Sequence, residues 1–418
     1  MINEKNIKLF PIYKLFSYDL LFYYATSMLY LNQVKLISVS DILLLSSIYC
    51  AFQFTFQVPV TLVVDKLGYR RCMILGNILC TIGILFYIIG SSFGFIVFGD
   101  LSLALGFALK GVSESPFIFT VMKKEGLKDM VSKIEAKGSS LYFVVEAGAS
   151  ILSGYLFLLS PYLPISFCLL SMLAATILSF KFNDTYITRP EPASMSDAIS
   201  DMKNGFTFIF HSDRLKSILI YSCVLTGILS VASSFSKAYL TDLEVSSKMF
   251  GLIFAWLNIA SAIGSSMQEK FESRRKNKTL SYIAVIFTSV FIFIGLAYII
   301  GFNSSILIAI GIIVFTIQNF FKGGYRVLVK KYLSNFTTSA IRSKIISIYY
   351  LVETFGTTVL LFLASRTISV IDIGTSYIVS GVLFLLMMLL ILDYMRSRFG
   401  LKPEQYKDKD INYKCEHK

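Results

Sequence analysis

Uninterrupted apolar windows near 20 residues recur along the whole of this 418-residue chain. Each is long enough to cross the roughly 30 Å hydrocarbon core of a bilayer as a helix. With 55% hydrophobic and 16% charged residues and a mean hydropathy of +0.68, the apolar surface exceeds what a soluble chain of this size buries. The class that remains is an all-α, polytopic membrane protein.

Twelve spans are predicted, at roughly 15–36, 40–64, 72–91, 94–122, 137–160, 162–182, 215–240, 247–267, 280–300, 303–329, 343–367 and 374–396. Six fall on each side of a polar connector. The expected organisation is therefore a six-helix bundle over 1–182, a connector over 183–214, a second bundle over 215–396 and a polar tail over 397–418. The first span follows Lys5, Lys8 and Lys14 but has no small-residue cleavage site and runs on into the second. It reads as a retained helix rather than a cleaved signal.

Lysine and arginine set the orientation. They crowd the connections after span two (Lys66, Arg70, Arg71), span four (Lys123, Lys124, Lys128, Lys133), span eight (Lys270, Arg274, Arg275, Lys276, Lys278) and span ten (Lys330, Lys331, Arg342). The opposite connections carry only Lys35, Lys237, Lys248 and Arg366. By the positive-inside rule both termini and the connector are expected in the cytoplasm, with the protein in the plasma membrane. The net charge of +13 follows from that asymmetry, so no nucleic-acid partner is implied. Within the connector, Ile199, Met202, Phe206, Ile209 and Phe210 recur at helical spacing behind Ser196, while Asp197, Asp201 and Lys203 fall elsewhere. This predicts an amphipathic helix on the cytoplasmic face.

The pattern Lys-x-x-Ser-x-Tyr-x-x-Val-Glu occurs twice, at Lys137, Ser140, Tyr142, Val145, Glu146 and at Lys344, Ser347, Tyr349, Val352, Glu353. The offset, 344 − 137 = 207, is nearly half the chain, which indicates a duplicated half. Each copy leaves a glutamate two to three turns inside an apolar stretch, where an ion is costly and a purely structural helix gains little by keeping it.

Between spans two and three the chain reads Thr61-Leu-Val-Val-Asp65-Lys-Leu-Gly68-Tyr-Arg70-Arg71. Asp65, Gly68, Arg70 and Arg71 resemble the loop motif of the major facilitator superfamily, Gly-x-x-x-Asp-x-x-Gly-Arg-Arg, with Thr61 in place of its first glycine. The second-half loop offers Gln268, Glu269, Arg274 and Arg275 but no Asp-x-x-Gly. Gly106-Phe-Ala-Leu-Lys110-Gly111-Val-Ser-Glu114-Ser and Ile341-Arg342-Ser-Lys-Ile-Ile-Ser347 are similar to the fourth and eleventh helices of bacterial permeases of this kind. The resemblance implies two six-helix bundles around a cavity lined by spans one, four, seven and ten, alternating access by rocking of the halves, and a gating role for the Asp65–Arg71 loop against the opposite half. It does not extend to the Gly-Pro-rich fifth helix of drug–proton antiporters, since Glu146-Ala-Gly148-Ala-Ser-Ile-Leu-Ser-Gly154 lacks that pattern.

Candidate chemistry lies with the intramembrane ions. Lys110 and Lys322 each precede a glycine, and each has a candidate carboxylate on the next span, Glu146 or Glu353; Glu114 is one turn from Lys110. A lone charge at mid-bilayer costs roughly 2.5–3.5 kcal/mol, so pairing is expected. Two readings stay open: Lys110–Glu146 and Lys322–Glu353 as locked pairs fastening helices, or as sites where a substrate anion or a proton exchanges with one partner. Tyr142 and Tyr349 share a helical face with the glutamates and are positioned either to hydrogen-bond them or to pack. Asp19, early in span one, is either a site residue or a solvated one at the cytoplasmic mouth.

Other chemistries find no foothold. The two histidines, His211 and His417, lie in the connector and the tail, and neither a nucleophile elbow nor a phosphate loop is present. The six cysteines have no paired or metal-ligand spacing. No enzyme activity, cofactor or metal is expected. The expected function is secondary active transport of a small solute, proton-coupled, by a monomer in the lipid bilayer. A membrane-embedded receptor or accessory permease subunit is the alternative, but such a protein has no need of matched Lys and Glu in both halves.

Overall fold

The computed structural model describes residues 2–127, 130–183, 195–275, 278–337 and 342–398. The tail beyond Arg398, the Pro190–Pro192 part of the connector and Cys415 lie outside the described residues. The described chain is helical: α1 (Ile2–Ser17), α2 (Ser27–Leu29) running into a π-helical turn (Tyr30–Val34), α3 (Val39–Leu67), α4 (Tyr69–Ile89), α5 (Phe93–Lys124), α6 (Val131–Leu159), α7 (Leu163–Phe180), α8 (Met195–His211), α9 (Asp213–Asp242), α10 (Ser247–Arg275), α11 (Thr279–Ile300), α12 (Ser304–Phe336), α13 (Arg342–Val370) and α14 (Ile373–Arg398). Among the described residues, eleven of these are long and apolar enough to cross a membrane.

The first span departs from expectation. In place of one helix over 15–36, α1 ends at Ser17, and regular helix is absent from Tyr18 to Thr26. Phe22 there adopts φ +69°, a left-handed conformation that costs an aromatic residue on the order of 1–3 kcal/mol. Tertiary contacts hold it. The rings of this stretch pack in different directions: Tyr18 stacks on Tyr142, Phe22 meets Phe167, Tyr23 meets Tyr30 and Tyr87, and Tyr24 meets Phe254. Asp19 adds a local competitor, its carboxylate accepting the Leu20 N–H at 2.8 Å.

The chain groups into two compact units. Unit 1 comprises Met1–Ser38, Ile48–Ala198 and Val245–Ala255; unit 2 comprises Val39–Ser47, Ile199–Glu244 and Trp256–Lys418. In unit 1, α4 packs on α5 and α7, and α1 packs on α5, α6 and α7. In unit 2, α11 packs on α12 and α14, and α9 packs on α12, α13 and α14. Counting each unit's spans in order, every one of these neighbour pairs has its counterpart in the other unit, which is the structural form of the sequence repeat.

Small residues let the helices approach. A Cβ on Gly76 would lie 2.8 Å from the Gly106 carbonyl, and one on Gly106 would lie 2.7 Å from the Gly76 carbonyl; this reciprocal contact locks α4 to α5. Unit 1 also contains the start of α10, where Ser247 Oγ donates to the Gly154 carbonyl at 3.1 Å. Unit 2 likewise contains the start of α3, with Ser47 Oγ on the Thr358 carbonyl and Ser365 Oγ on the Ser40 carbonyl, both at 2.8 Å. The predicted connector helix is present as α8, with Gly205 and Ile209 buried and Phe210 exposed.

Candidate functional site

The polar centre of unit 1 is built where α1 ends. One face of α1 carries Tyr13, Lys14 and Ser17, and all three converge on the buried Glu114 of α5. Tyr13 Oη donates to Glu114 Oε1 at 2.8 Å, Ser17 Oγ donates to the same oxygen at 3.0 Å, and Lys14 forms an ion pair with Oε2. Asn77 of α4 extends the network, donating through Nδ2 to the Tyr13 hydroxyl at 2.9 Å and to the Met73 carbonyl at 2.8 Å. Lys110, one turn before Glu114, is buried and donates to the backbone carbonyl of Ser17. Its ammonium also sits 4.5 Å from the Phe107 ring centroid.

That arrangement corrects the pairing expected from sequence. Lys110 makes no ion pair with Glu146, because the break after Ser17 leaves a helix-terminal carbonyl that a buried ammonium takes as a neutral acceptor. Glu114 is paired instead with Lys14, which the continuous α1 delivers from the N-terminal segment. The cluster thus holds two ammonium groups, Lys14 and Lys110, around one carboxylate.

A second layer joins α6 to the broken stretch. Glu146 is 5% exposed and accepts from Ser150 Oγ at 3.2 Å. Tyr142, one turn earlier, stacks on Tyr18 with ring centroids 4.6 Å apart and packs with Leu21 and Ala149. Asp19 is exposed and lies within electrostatic reach of Tyr142.

Unit 2 gives its glutamate a different setting. Glu353 of α13 accepts from Thr226 Oγ1 of α9 at 2.6 Å and from Tyr349 Oη on its own helix. The buried Tyr325 of α12 lies within electrostatic reach. Tyr349 therefore hydrogen-bonds its glutamate, whereas its counterpart Tyr142 stacks. Lys322 is not the partner of Glu353: among the described residues it forms no ion pair, and the charged groups around it are Arg326 and Lys237. The side chain of Lys344 lies outside the described residues.

The loop between α3 and α4 turns at Gly68, whose φ of +82° explains the glycine. Arg70, expected against the opposite half, is engaged within unit 1: Nε donates to the Phe182 carbonyl at 2.6 Å and Nη2 to the Phe180 carbonyl at 2.9 Å. A guanidinium at the end of α7 satisfies carbonyls that the helix leaves open. Asp65 is half-buried and Arg71 exposed.

Sequence reasoning passes over Tyr13, Lys14, Asn77 and Thr226, whose roles depend on which faces meet. It also passes over Asp100, a lone acid seven residues into α5. The duplication criterion does not select Asp100, since the residue at repeat spacing is Leu307, but the rule that ionisable residues inside spans are functional candidates does.

Two helical units with matching helix neighbours, built from helices long and apolar enough to cross a membrane and carrying ionisable side chains within them, have the architecture of a multi-pass membrane transporter. The sequence matches the Major Facilitator Superfamily model over residues 14–320, and the chain belongs to that superfamily. Among solved structures, it is similar to the nucleoside transporter NupG (13% identity, TM-score 0.72, covering 95% of this chain and 100% of that one). It is also similar to a bacterial homologue of the human lysosomal transporter Spinster (12% identity, TM-score 0.69, 98% of both chains) and to a D-xylose–proton symporter (13% identity, TM-score 0.64, 94% and 97%). Among curated proteins, none matches the sequence.

Proposed function

We propose that the chain moves a small solute across the plasma membrane by alternating access, coupled to protons, with Glu146 and Glu353 as the proton-carrying groups. The observation that carries this reading is the duplicated glutamate in the structure. Each accepts hydrogen bonds from hydroxyl groups, Ser150 for Glu146 and Thr226 with Tyr349 for Glu353, and among the described residues Lys110 and Lys322 do not form ion pairs with them. Hydroxyls hydrogen-bond a carboxylate and a carboxylic acid alike, so these contacts persist as a proton arrives and leaves. The working halves are 1–182 and 215–396, joined by 183–214; the protein acts as a monomer with both termini cytoplasmic, a topology supported by the lysine and arginine asymmetry. No nucleic-acid partner takes part.

The ammonium groups indicate which solutes to try first. Unit 1 carries Lys14 and Lys110 around one carboxylate, and Lys322 in unit 2 has cationic neighbours, so solutes bearing a carboxylate or phosphate head the panel, ahead of peptides and cationic drugs. The test is uptake into sealed proteoliposomes with an imposed pH gradient. At least one panel member accumulates and a protonophore abolishes the accumulation. Binding without accumulation of any member, under any gradient, would instead describe a receptor.

A further inference from the structure

We propose that Asp100 is a proton-binding site of unit 1, distinct from Glu146 and Glu353. Asp100 is 4% exposed. Its Oδ1 accepts from Tyr87 Oη at 2.5 Å, while its Oδ2 has no hydrogen-bond partner. Among the described residues no cation lies within ion-pair distance of it. A buried carboxylate with one oxygen unmatched is costly as an anion, and a proton on that oxygen removes the charge.

The surroundings come from three elements, and none supplies a positive charge. From α4 comes Tyr87; from the first span, Tyr23 and Tyr30; from α3, Tyr49 and Cys50. Tyr23 is 6% exposed, its hydroxyl has no hydrogen-bond partner, and it lies within electrostatic reach of Asp100. A neutral Asp100 gains an O–H donor, and the Tyr23 oxygen is an acceptor of the kind that donor needs. Lys35, above this layer, donates to the Ile88 carbonyl at 2.8 Å and lies over the rings of Tyr30 and Tyr162. Lys110 is ten residues further along α5, about 15 Å away along the helix axis.

Packing restricts the ligand to a proton. A Cβ on Gly99 would meet the Gly83 carbonyl at 3.1 Å and Tyr87 Cδ2 at 3.2 Å; one on Gly83 would meet Leu103 Cγ at 2.6 Å. At this level α4 and α5 are in contact and leave no room for an organic cation. A metal ion of the calcium type takes six or more oxygens, and the unmatched oxygens identified here are Asp100 Oδ2 and Tyr23 Oη. Tyr23 belongs to the irregular stretch of the first span, so movement of that stretch changes the acceptor available to Asp100 and couples proton occupancy to conformation.

The proposal rests on the transporter reading for its purpose, but proton binding is read without transport. In the full-length double variant Glu146→Gln/Glu353→Gln, in lipid nanodiscs, infrared spectroscopy shows a protonated-carboxyl carbonyl band that titrates with pH. Adding Asp100→Asn removes it; persistence of the whole band overturns the proposal, as does the absence of any titrating band before the substitution. Should Asp100→Asn fail to fold, Tyr87→Phe keeps the carboxyl and deletes its hydrogen bond, and the midpoint is displaced by about one pH unit or more. An unchanged midpoint would also overturn the assignment. Failure of the Glu146 and Glu353 reading leaves this band in place, so the two outcomes are separable.

Discussion

At the scale of single residues, Glu114 and the duplicated glutamates are opposites. Glu114 is the counter-ion of Lys14, so Glu114→Gln leaves an ammonium without its partner, at a cost of about 3 kcal/mol, the lower end of the range for broken buried pairs. Thermal unfolding in detergent is expected to show a clear fall in Tm, recovered in part by Lys14→Met. No loss in the single variant would mean that the pair contributes nothing to stability. Glu146→Gln and Glu353→Gln leave the contacts of Lys110 and Lys322 as they are, because Lys110 binds the Ser17 carbonyl and Lys322 has no carboxylate partner among the described residues; both variants are expected to fold. The sequence makes the buried ions legible through their cost in an apolar stretch, but not their partners. Lys14 lies outside the predicted first span, and only the continuation of α1 from residue 2 to Ser17 brings it beside Glu114.

Among the helices, close approach sets the geometry. A Cβ on Gly323 would lie 1.9 Å from the Ser261 carbonyl, and one on Gly264 would lie 1.8 Å from the Phe320 carbonyl. Backbone cannot yield as a flexible side chain does, so Gly323→Ala must part α10 from α12 and is expected to cost about 1–3 kcal/mol. Gly111, inside α5, has nothing within 4 Å of its Cβ position, and Gly111→Ala is the control that leaves Tm unchanged or raises it; equal effects of the two would show that the α10–α12 contact is not close in solution. Among the described residues, eleven spans are legible as helices because length and hydropathy alone define them. The broken first span is not legible: no proline or glycine lies between Tyr18 and Thr26. What holds the stretch around Phe22 is a set of ring contacts, Phe22 to Phe167, Tyr18 to Tyr142 and Tyr23 to Tyr87, partners far off in sequence. Local pattern carries no trace of them.

For the molecule as a whole, the repeat of 207 residues foretells two units with matching helix neighbours, and both have them. It does not foretell how the copies diverge. Tyr349 donates to Glu353 while Tyr142 stacks on Tyr18, and Asp100 has Leu307 at its repeat position. Such asymmetry lets one duplicated frame hold protonatable groups in unlike surroundings, and a coupled cycle requires groups that load and release protons in different conformations. The most direct measurement is a paired assay of Glu146→Gln and Glu353→Gln in proteoliposomes, with the solute identified from the panel. Each variant is expected still to exchange labelled for unlabelled solute across the bilayer but no longer to accumulate it under a pH gradient. Variants that retain gradient-driven accumulation at the wild-type level would contradict the assignment of the duplicated glutamates as proton carriers.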